Sequence, residues 1–249
     1  MDVIVTDSPA QAFHRGADMI AAEIRATRKP VLGLATGRTM ESIYRLLVRQ
    51  HKAGTLDFSS TTSFNLDEYV GLGPKDPNSY RHYMQEHLFA HVNMGLSRIH
   101  VPDGIAPDLD AECTGYEAAI RASNGIDLQL LGIGETGHIG FNEPPSAFDS
   151  RTRVVELDAI TRRQNSGMFG NDPERVPSRA LTMGVGTILE ARRLLLVAVG
   201  AGKASIINEA LNGPISENVS ATAIRLHDKA TIILDEAAAS LWKRPTIRP

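Results

Sequence analysis

The chain has 249 residues, of which 42% are hydrophobic and 22% charged, and its formal net charge is −3. This composition predicts a globular protein with a large core, and the slightly negative charge argues against a nucleic-acid-binding surface. The longest apolar run, Leu194–Val199, is too short to span a bilayer, so no membrane segment is expected. Cys113 is the single cysteine, which rules out an internal disulfide and favours a reducing, cytoplasmic environment.

Apolar segments of strand length alternate with amphipathic segments along the chain. The predicted strands are Val3–Val5, Val31–Ala35, Thr62–Leu66, Ile99–Val101, Leu128–Ile133, Leu194–Val199 and Thr231–Leu234. The predicted helices are Ala10–Arg28, Glu41–His51, Ser79–Phe89, Asp108–Ser123 and Lys203–Leu211. Uninterrupted apolar strands are typical of burial on both faces. The alternation therefore predicts an α/β protein with a three-layer Rossmann-like fold, in which a mostly parallel central sheet carries helices on both faces.

We expect residues 1–249 to form a single domain, because no repeat or linker divides them. Residues 141–179 do not fit the alternation, since they contain four prolines and many polar side chains. A long irregular segment inside a compact domain is typical of a lid or a binding loop. A plain surface excursion is the alternative interpretation.

Polar residues follow four of the predicted strands at the point where each strand ends. The turn Thr36–Thr39 follows the second strand, Asp67 and Glu68 follow the third, Gly134–His138 follows the fifth, and Gly200–Lys203 follows the sixth. Ligands of open α/β sheets bind beyond the carboxyl ends of the strands. We therefore expect these groups to meet at one edge of the sheet.

The turn formed by Thr36, Gly37, Arg38 and Thr39 leads into a predicted helix and suits a bound anion. A helix N terminus presents free N–H groups and the positive end of the dipole, and the hydroxyls and the arginine add further donors. An ordinary capped helix start is the alternative.

Lys203 also begins a helix, where its charge opposes the dipole unless an anion compensates it. The alternative there is a solvated lysine.

Gly132, Gly134 and Gly137 spell GxGxxG, the fingerprint of dinucleotide-binding loops. The following Ile-Gly-Phe-Asn-Glu-Pro-Pro disfavours the crossover helix that such a loop requires, so NAD is disfavoured and neither a cofactor nor a metal is predicted. The glycines still supply backbone donors and a tight turn.

His138 is the side chain best suited to proton transfer near neutral pH, and Glu143 lies close enough in sequence to orient it or to exchange protons with it.

Asp67 stands directly after a buried strand and has two interpretations. It is either a general base that faces the cleft, with a pKa raised by partial burial, or part of a helix cap or surface pair with Glu68. His82, His87 and His91 share one predicted helix, and we expect them to be solvated or to lie at an interface.

Several stretches in chain order resemble glucosamine-6-phosphate deaminases, which are also called glucosamine-6-phosphate isomerases. The stretches are LGLATGRTMESIY (32–44), FNLDEYVGL (64–72), PNSYRHYMQEHLF (77–89), LLGIGETGHIGFNEP (130–144), SRTRVVELDAITRRQNS (150–166), VPSRALTMGVGTIL (176–189) and AVGAGKA (198–204). They cover nearly the whole chain. The related 6-phosphogluconolactonases share the fold and a Gly-His element, but usually lack the FNEP found here.

The resemblance implies a reaction without metal or cofactor, in which glucosamine 6-phosphate and water become fructose 6-phosphate and ammonia. It implies that His138 assists opening of the sugar ring with Glu143 as its partner. Asp67 would remove the proton at C2 and help to deliver one to C1. The phosphate would lie on Thr36–Thr39 and Lys203, with Gly134 in the same substrate site.

Two positions depart from the pattern of this family. Many members have Asp or Asn before the Gly-His pair, where this chain has Thr136. Its hydroxyl can orient a neighbour but cannot supply a carboxylate's charge, so Thr136 is a candidate catalytic residue with a changed role. The family often places a phosphate-binding arginine where this chain has Gly167. Arg162, Arg163 or Arg38 are candidates to replace it.

Allosterically regulated relatives have an effector site that this chain matches only in part. Arg153 and Ser146 are matched, whereas Val155 and Glu156 replace expected polar or basic contacts. We therefore expect little or no activation by N-acetylglucosamine 6-phosphate.

Two other functions stay open at this stage. One is a sugar-phosphate lactonase on the same scaffold, and the other is a non-catalytic sugar-phosphate sensor. The partner in each case is a small molecule, with no role for nucleic acid or membrane. A homo-oligomer is compatible with the sequence, and the choice between glucosamine and galactosamine phosphates is open.

Overall fold

A computed structural model of the chain describes residues 1–243. Its strands are β1 (Asp2–Thr6), β2 (Val31–Leu34), β3 (Thr62–Asn65), β4 (Asp67–Tyr69), β5 (Ile99–His100), β6 (Leu128–Leu131), β7 (Arg153–Glu156), β8 (Arg179–Thr182), β9 (Leu194–Ala198) and β10 (Ala230–Asp235). Its α-helices are α1 (Pro9–Ala26), α2 (Arg38–Lys52), α3 (Tyr80–His87), α4 (Leu109–Ala122), α5 (Ala159–Asn165), α6 (Val185–Leu189), α7 (Ala204–Asn212) and α8 (Glu236–Ala239).

The central sheet has seven strands in the order β1-β10-β9-β6-β2-β3-β5, and every neighbouring pair is parallel. Helices cover both of its faces. All seven strands predicted from the sequence lie in this sheet, so the predicted fold class is confirmed. From β2 the chain moves outward through β3 to β5, and then returns to the other side of β2 at β6. This reversal creates a crevice between the ends of β2 and β6, where α/β proteins bind their ligands.

The core lies between the sheet and its helices, because the strands are apolar on both faces. Strands β2, β6 and β9 are buried along their whole length. Helix α1 starts at a cap in which Ser8 Oγ accepts from the Gln11 N–H, and Pro9 occupies its first turn. Its buried face includes Ile20, which packs in the same core as Ile43 of α2 and Leu195 of β9. Such burial of apolar side chains supplies most of the stability of the fold.

A second, antiparallel sheet has the strand order β4-β8-β7 and was not predicted. Its strands have three or four residues each, and β4 follows β3 after Leu66 alone. Short, polar strands leave no apolar run of recognisable length in the sequence. A small second core packs against this sheet and consists of Tyr69, Tyr80, Phe141, Leu157, Phe169, Val176 and Ala180.

Residues 141–179 contain β7, α5 and two short 3-10 helices, and they contribute Phe169 and Val176 to the second core. The five predicted helices correspond to α1, α2, α3, α4 and α7, whereas the short helices α5, α6 and α8 were not predicted. Within the described range 1–243, no helix is both long and apolar enough to cross a membrane.

Candidate active site

A cavity of about 790 Å³ opens at the carboxyl ends of the central strands. The groups that follow β2, β3, β6 and β9 all contribute to its wall: Thr36, Gly37, Arg38, Thr39, Asp67, Gly134, His138 and Lys203. The expectation that these loops meet at one edge of the sheet is therefore confirmed. Thr136 and Glu143 do not line the cavity, and both instead lie beside the His138 ring.

The turn after β2 has the geometry of an anion-binding site. Its Gly37 has φ +106°, a conformation that side chains rarely adopt, and no side chain caps the N terminus of α2. The first N–H groups of α2 are therefore not occupied by a capping side chain, unlike those of α1, α3 and α4. Tyr83 Oη donates to the Gly37 carbonyl over 2.8 Å and holds the turn in place. The ordinary capped helix start is wrong for this turn.

Lys203 ends a 3-10 helix, Ala201–Lys203, that leads into α7. Burial lowers the pKa of its ammonium group, and the nearby Glu135 carboxylate opposes that shift. The loop is fixed at Gly200, whose N–H donates to Asp235 Oδ1 over 2.9 Å. Lys203 therefore presents a partly desolvated cation to the cavity and is not the freely solvated lysine of the alternative.

The two acidic residues after β3 have different environments. Glu68 accepts hydrogen bonds from the N–H groups of Tyr69, Tyr80 and Arg81, and so caps the start of α3. Asp67 faces the cavity, and its Oδ1 has no hydrogen-bond partner within the described residues. Burial, together with the charge of Glu68, raises the pKa of Asp67 to about 8. Each of the two predicted roles is therefore found in one residue: Glu68 caps a helix, and Asp67 is a buried carboxyl group that faces the cavity.

His138 lies between a hydroxyl and a carboxylate. Its Nδ1 is 2.8 Å from Thr136 Oγ1 and 3.7 Å from Glu143 Oε2. Burial, reinforced by the charge of Lys203, lowers the pKa of His138 to about 4, while Asp158 opposes the shift. Burial also raises the pKa of Glu143, against the effect of the nearby Thr161 hydroxyl and Asp158 amide. The imidazole is consequently neutral at pH 7 and able to accept a proton.

Two glycines of the GxGxxG pattern, Gly134 and Gly137, shape the turn that carries His138. A Cβ atom at Gly134 would lie 2.2 Å from His138 Nε2, so only glycine leaves room for the ring. Gly137 has φ +80°, and a Cβ atom there would lie 2.5 Å from Val219. The turn closes through a hydrogen bond from the Gly134 N–H to the His138 carbonyl. No full helix follows it, since only short turns separate His138 from β7.

Part of the cavity wall was not predicted as functional. Tyr80 and His87 of α3, Glu135, and Gln164 and Asn165 of α5 all line it. His87, which we expected to be solvated or to lie at an interface, is half-buried on the wall of the cavity, where its ring contacts Tyr83. The signal for α5 was its position inside 141–179, the segment interpreted as a lid. Within residues 1–243, no group of three or more His, Cys, Asp or Glu side chains is arranged to hold a metal ion.

Of the three arginines considered as replacements at Gly167, one reaches the cavity. Arg38 lines it, and its Nη2 lies 3.6 Å from the position that a Cβ atom of residue 167 would take. Arg162 instead donates to the Val176 carbonyl and pairs with Glu174 at 3.3 Å. Arg38 therefore occupies the space next to Gly167.

Residues 7–233 match the model of the family described as glucosamine-6-phosphate isomerases/6-phosphogluconolactonase. The chain belongs to this family. Glucosamine-6-phosphate deaminase 2 of Bacillus subtilis (strain 168) is 45% identical over 244 residues, which cover 98% of both chains. Glucosamine-6-phosphate deaminase of Rhodopirellula baltica is 47% identical over 97% of this chain and 96% of its own length.

Solved structures of the family share the fold. A monomeric glucosamine-6-phosphate deaminase has a TM-score of 0.94 at 44% identity, with 97% of this chain and 100% of the other covered. The 6-phosphogluconolactonase of Thermotoga maritima has a TM-score of 0.75 at 18% identity, with 94% and 98% covered, and so is similar in fold alone.

Proposed function

We propose that the chain is a glucosamine-6-phosphate deaminase, which converts glucosamine 6-phosphate and water to fructose 6-phosphate and ammonia. The observation that carries the proposal is the meeting, in one cavity, of a buried carboxyl group, a buried histidine and an uncapped helix N terminus. Relatives named as deaminases at 43–47% identity support it. The reaction needs no cofactor, because acid–base chemistry at two carbons is sufficient.

The phosphate of the substrate binds at the N terminus of α2. The backbone N–H groups and hydroxyls of Thr36–Thr39 surround it, and Lys203 and Arg38 add positive charge. Gly37 lets the phosphate approach the backbone closely. An anion held here also favours the charged form of Lys203, whose ammonium is otherwise partly desolvated.

His138 opens the sugar ring. As a neutral imidazole it accepts the proton of the C1 hydroxyl and donates a proton to the ring oxygen, which leaves an aldehyde at C1. Glu143 stabilises the imidazolium that forms during this transfer. The Thr136 hydroxyl orients the imidazole through a hydrogen bond with His138 Nδ1. Gly134 leaves the space that the imidazole of His138 occupies.

Asp67 then acts on the open-chain sugar. It removes the proton at C2, which the adjacent aldehyde makes acidic, and returns a proton to C1. The aldehyde oxygen takes up a proton that the protonated amino nitrogen gives up, so C1 becomes CH2OH and C2 becomes a protonated imine. Addition of water to this imine releases ammonia and leaves the ketone of fructose 6-phosphate. The substrate's amino group, when protonated beside Asp67, favours the carboxylate form that this step requires.

The lactonase alternative is weaker on the same geometry. Hydrolysis of a lactone needs an activated water but no base at C2, so it gives the buried Asp67 no role. Solved lactonases are only 15–21% identical to this chain. A sensor needs no acid–base set, whereas this chain keeps Asp67, His138 and Glu143 around one cavity.

A coupled assay for ammonia and fructose 6-phosphate, with several amino-sugar 6-phosphates, tests the proposal. We expect release of both products in equal amounts, and loss of both in Asp67→Asn. Hydrolysis of 6-phosphogluconolactone that survives Asp67→Asn would favour the lactonase. Binding of substrate with no product release would favour the sensor.

The remaining expectations belong to the same proposal. We place the enzyme in the cytoplasm as a single domain that acts on a small-molecule sugar phosphate, with 141–179 as a lid over the cavity. Gln164, Asn165, Gly167 and Met168 of this segment line the cavity wall, which supports the lid. The similarity to a monomeric deaminase favours a monomer over a homo-oligomer.

A further inference from the structure

One row of residues crosses the small antiparallel sheet and begins at Asp67. Asp67 of β4 pairs with Thr182 of β8, and Thr182 pairs with Arg153 of β7. Residues directly opposite each other on neighbouring strands project to the same face of a sheet. The proposed C2 base is therefore the first of three side chains on one face.

The segment that follows His138 crosses this row. A Cβ atom at Gly140 would lie 3.7 Å from Asp67 Oδ2 and 3.0 Å from Thr182 Oγ1, so the backbone passes directly over both side chains. The Phe141 N–H donates to Thr182 Oγ1 over 3.0 Å. Thr182 is fully buried, so this bond is shielded from water.

Asn142 makes the next contact, with the third member of the row. Its Oδ1 accepts from Arg153 Nη1 over 2.8 Å. Its Nδ2 donates to the carbonyls of Ile139 at 2.8 Å and Met183 at 2.9 Å. Asn142 is fully buried, and so Arg153 fixes a side chain that holds both the beginning of this segment and the end of β8.

Arg153 also reaches the other side of Glu143. Its Nη2 donates to Ser146 Oγ over 3.1 Å, and that hydroxyl donates to the Glu143 carbonyl over 2.6 Å. Its half-buried guanidinium makes no salt bridge with a carboxylate of residues 1–243. The guanidinium instead donates to neutral acceptors on Asn142 and Ser146, which lie on either side of Glu143 in the sequence.

We infer that Arg153 and Thr182 are positioning residues, which set the placement of His138 and Glu143 relative to Asp67. This inference rests on the proposed function. Ring opening at C1 and proton removal at C2 act on the same bound sugar. His138 and Asp67 must therefore keep a fixed separation that matches these two adjacent carbons. The row beginning at Asp67 supplies a shared support, because Thr182 and Arg153 hold the segment between His138 and Glu143.

The variants Arg153→Met and Thr182→Val test the inference, with Arg151→Met as the matched control. Arg151 is exposed and pairs with Glu190 at the surface, two residues from Arg153. Because a misplacement of about 1 Å can cost about 100-fold in rate, we expect kcat to fall about 10- to 100-fold in the two variants. KM should change little, since the phosphate site lies on other loops. Arg153→Lys should recover part of kcat, because an ammonium can reach one of the two acceptors.

A titration of His138 by NMR adds a readout that does not depend on activity. Three charged groups act on this histidine from other positions, namely Lys203, Asp158 and Glu143, and none is changed in Arg153→Met. Loosening of the segment should expose the ring and move its pKa from about 4 towards its ordinary value of 6.5. Arg151→Met should leave the titration unchanged.

The outcomes separate the inference from the function on which it rests. A lower kcat with a shifted His138 titration supports both. Folded Arg153→Met and Thr182→Val enzymes with wild-type kcat and an unchanged titration would overturn the inference and leave the deaminase intact. If the wild-type protein releases no ammonia while Arg153→Met still shifts the titration, the proposed function fails and the positioning role stands.

Discussion

Replacing Asp67 with asparagine should abolish deamination and should stabilise the protein at alkaline pH. The residue is 6% exposed, and its Oδ1 has no hydrogen-bond partner within residues 1–243. Burial raises its pKa from 3.8 to about 8, so above pH 8 the fold must hold an unpaired charge in a poorly solvated place. The neutral amide has the same shape and avoids this cost.

The size and the pH dependence follow from that shift. A group whose pKa is higher in the folded protein favours folding below its unfolded pKa, and this contribution is lost as the pH rises through the folded value. The wild type therefore loses stability between pH 4 and about 8 on account of Asp67, whereas Asp67→Asn does not. A shift of this size corresponds to at most about 6 kcal/mol. The actual contribution is smaller, because water in the cavity solvates part of the charge.

Thermal unfolding at a series of pH values measures this difference. For a chain of this length, each kcal/mol moves Tm by about 2–4 °C. We expect similar Tm values for wild type and Asp67→Asn near pH 4, and a higher Tm for the variant by several degrees near pH 9. Glu68→Gln is the comparison variant: burial raises the pKa of Glu68 to about 7, but its two oxygens accept three backbone N–H groups, which a single amide oxygen cannot all accept. We therefore expect Glu68→Gln to gain less stability at pH 9 than Asp67→Asn. A variant less stable than wild type at pH 9 would refute the reasoning.

Further predictions concern the glycine turn, the phosphate site and regulation. Gly134→Ala should push the His138 ring aside and lower kcat about 100-fold, whereas Gly132→Ala, whose added Cβ meets only a flexible methionine end, should stay close to wild type in the same assay. Arg38→Ala should raise KM for the sugar phosphate and Arg163→Ala should not, as measured by initial rates. N-acetylglucosamine 6-phosphate should leave a hyperbolic substrate curve unchanged, and a sigmoidal curve that it makes hyperbolic would contradict this.

The central sheet could be predicted because its strands are apolar on both faces. Leu128–Leu131 and Leu194–Ala198 are short, mostly apolar runs, and every residue in them is buried. The small sheet could not be predicted in this way. In β7, two valines lie between Arg153 and Glu156, and this four-residue pattern also fits a loop. Its partners are distant in sequence, so only tertiary contacts select the extended conformation.

The candidate site could be predicted where its residues follow strands. Asp67, His138 and Lys203 were found by one rule, that the carboxyl ends of parallel strands meet at one edge. Asn165 and Tyr80 come from helices that fold over the cavity, and nothing in their local pattern indicates that direction. Short-range sequence also gives no means of separating Asp67 from Glu68, because burial and the three backbone donors to Glu68 arise only in the fold.

The most direct test of the account follows the hydrogen at C2 of glucosamine 6-phosphate. With substrate deuterated at C2, wild-type enzyme should release ammonia more slowly than with ordinary substrate. The deuterium should leave C2, and it should then either appear at C1 of fructose 6-phosphate or be lost to solvent. Asp67→Asn should release no ammonia and leave the deuterium at C2, although His138 still opens the ring. Ammonia release by Asp67→Asn at the wild-type rate would contradict the claim that the buried Asp67 carboxylate is the base.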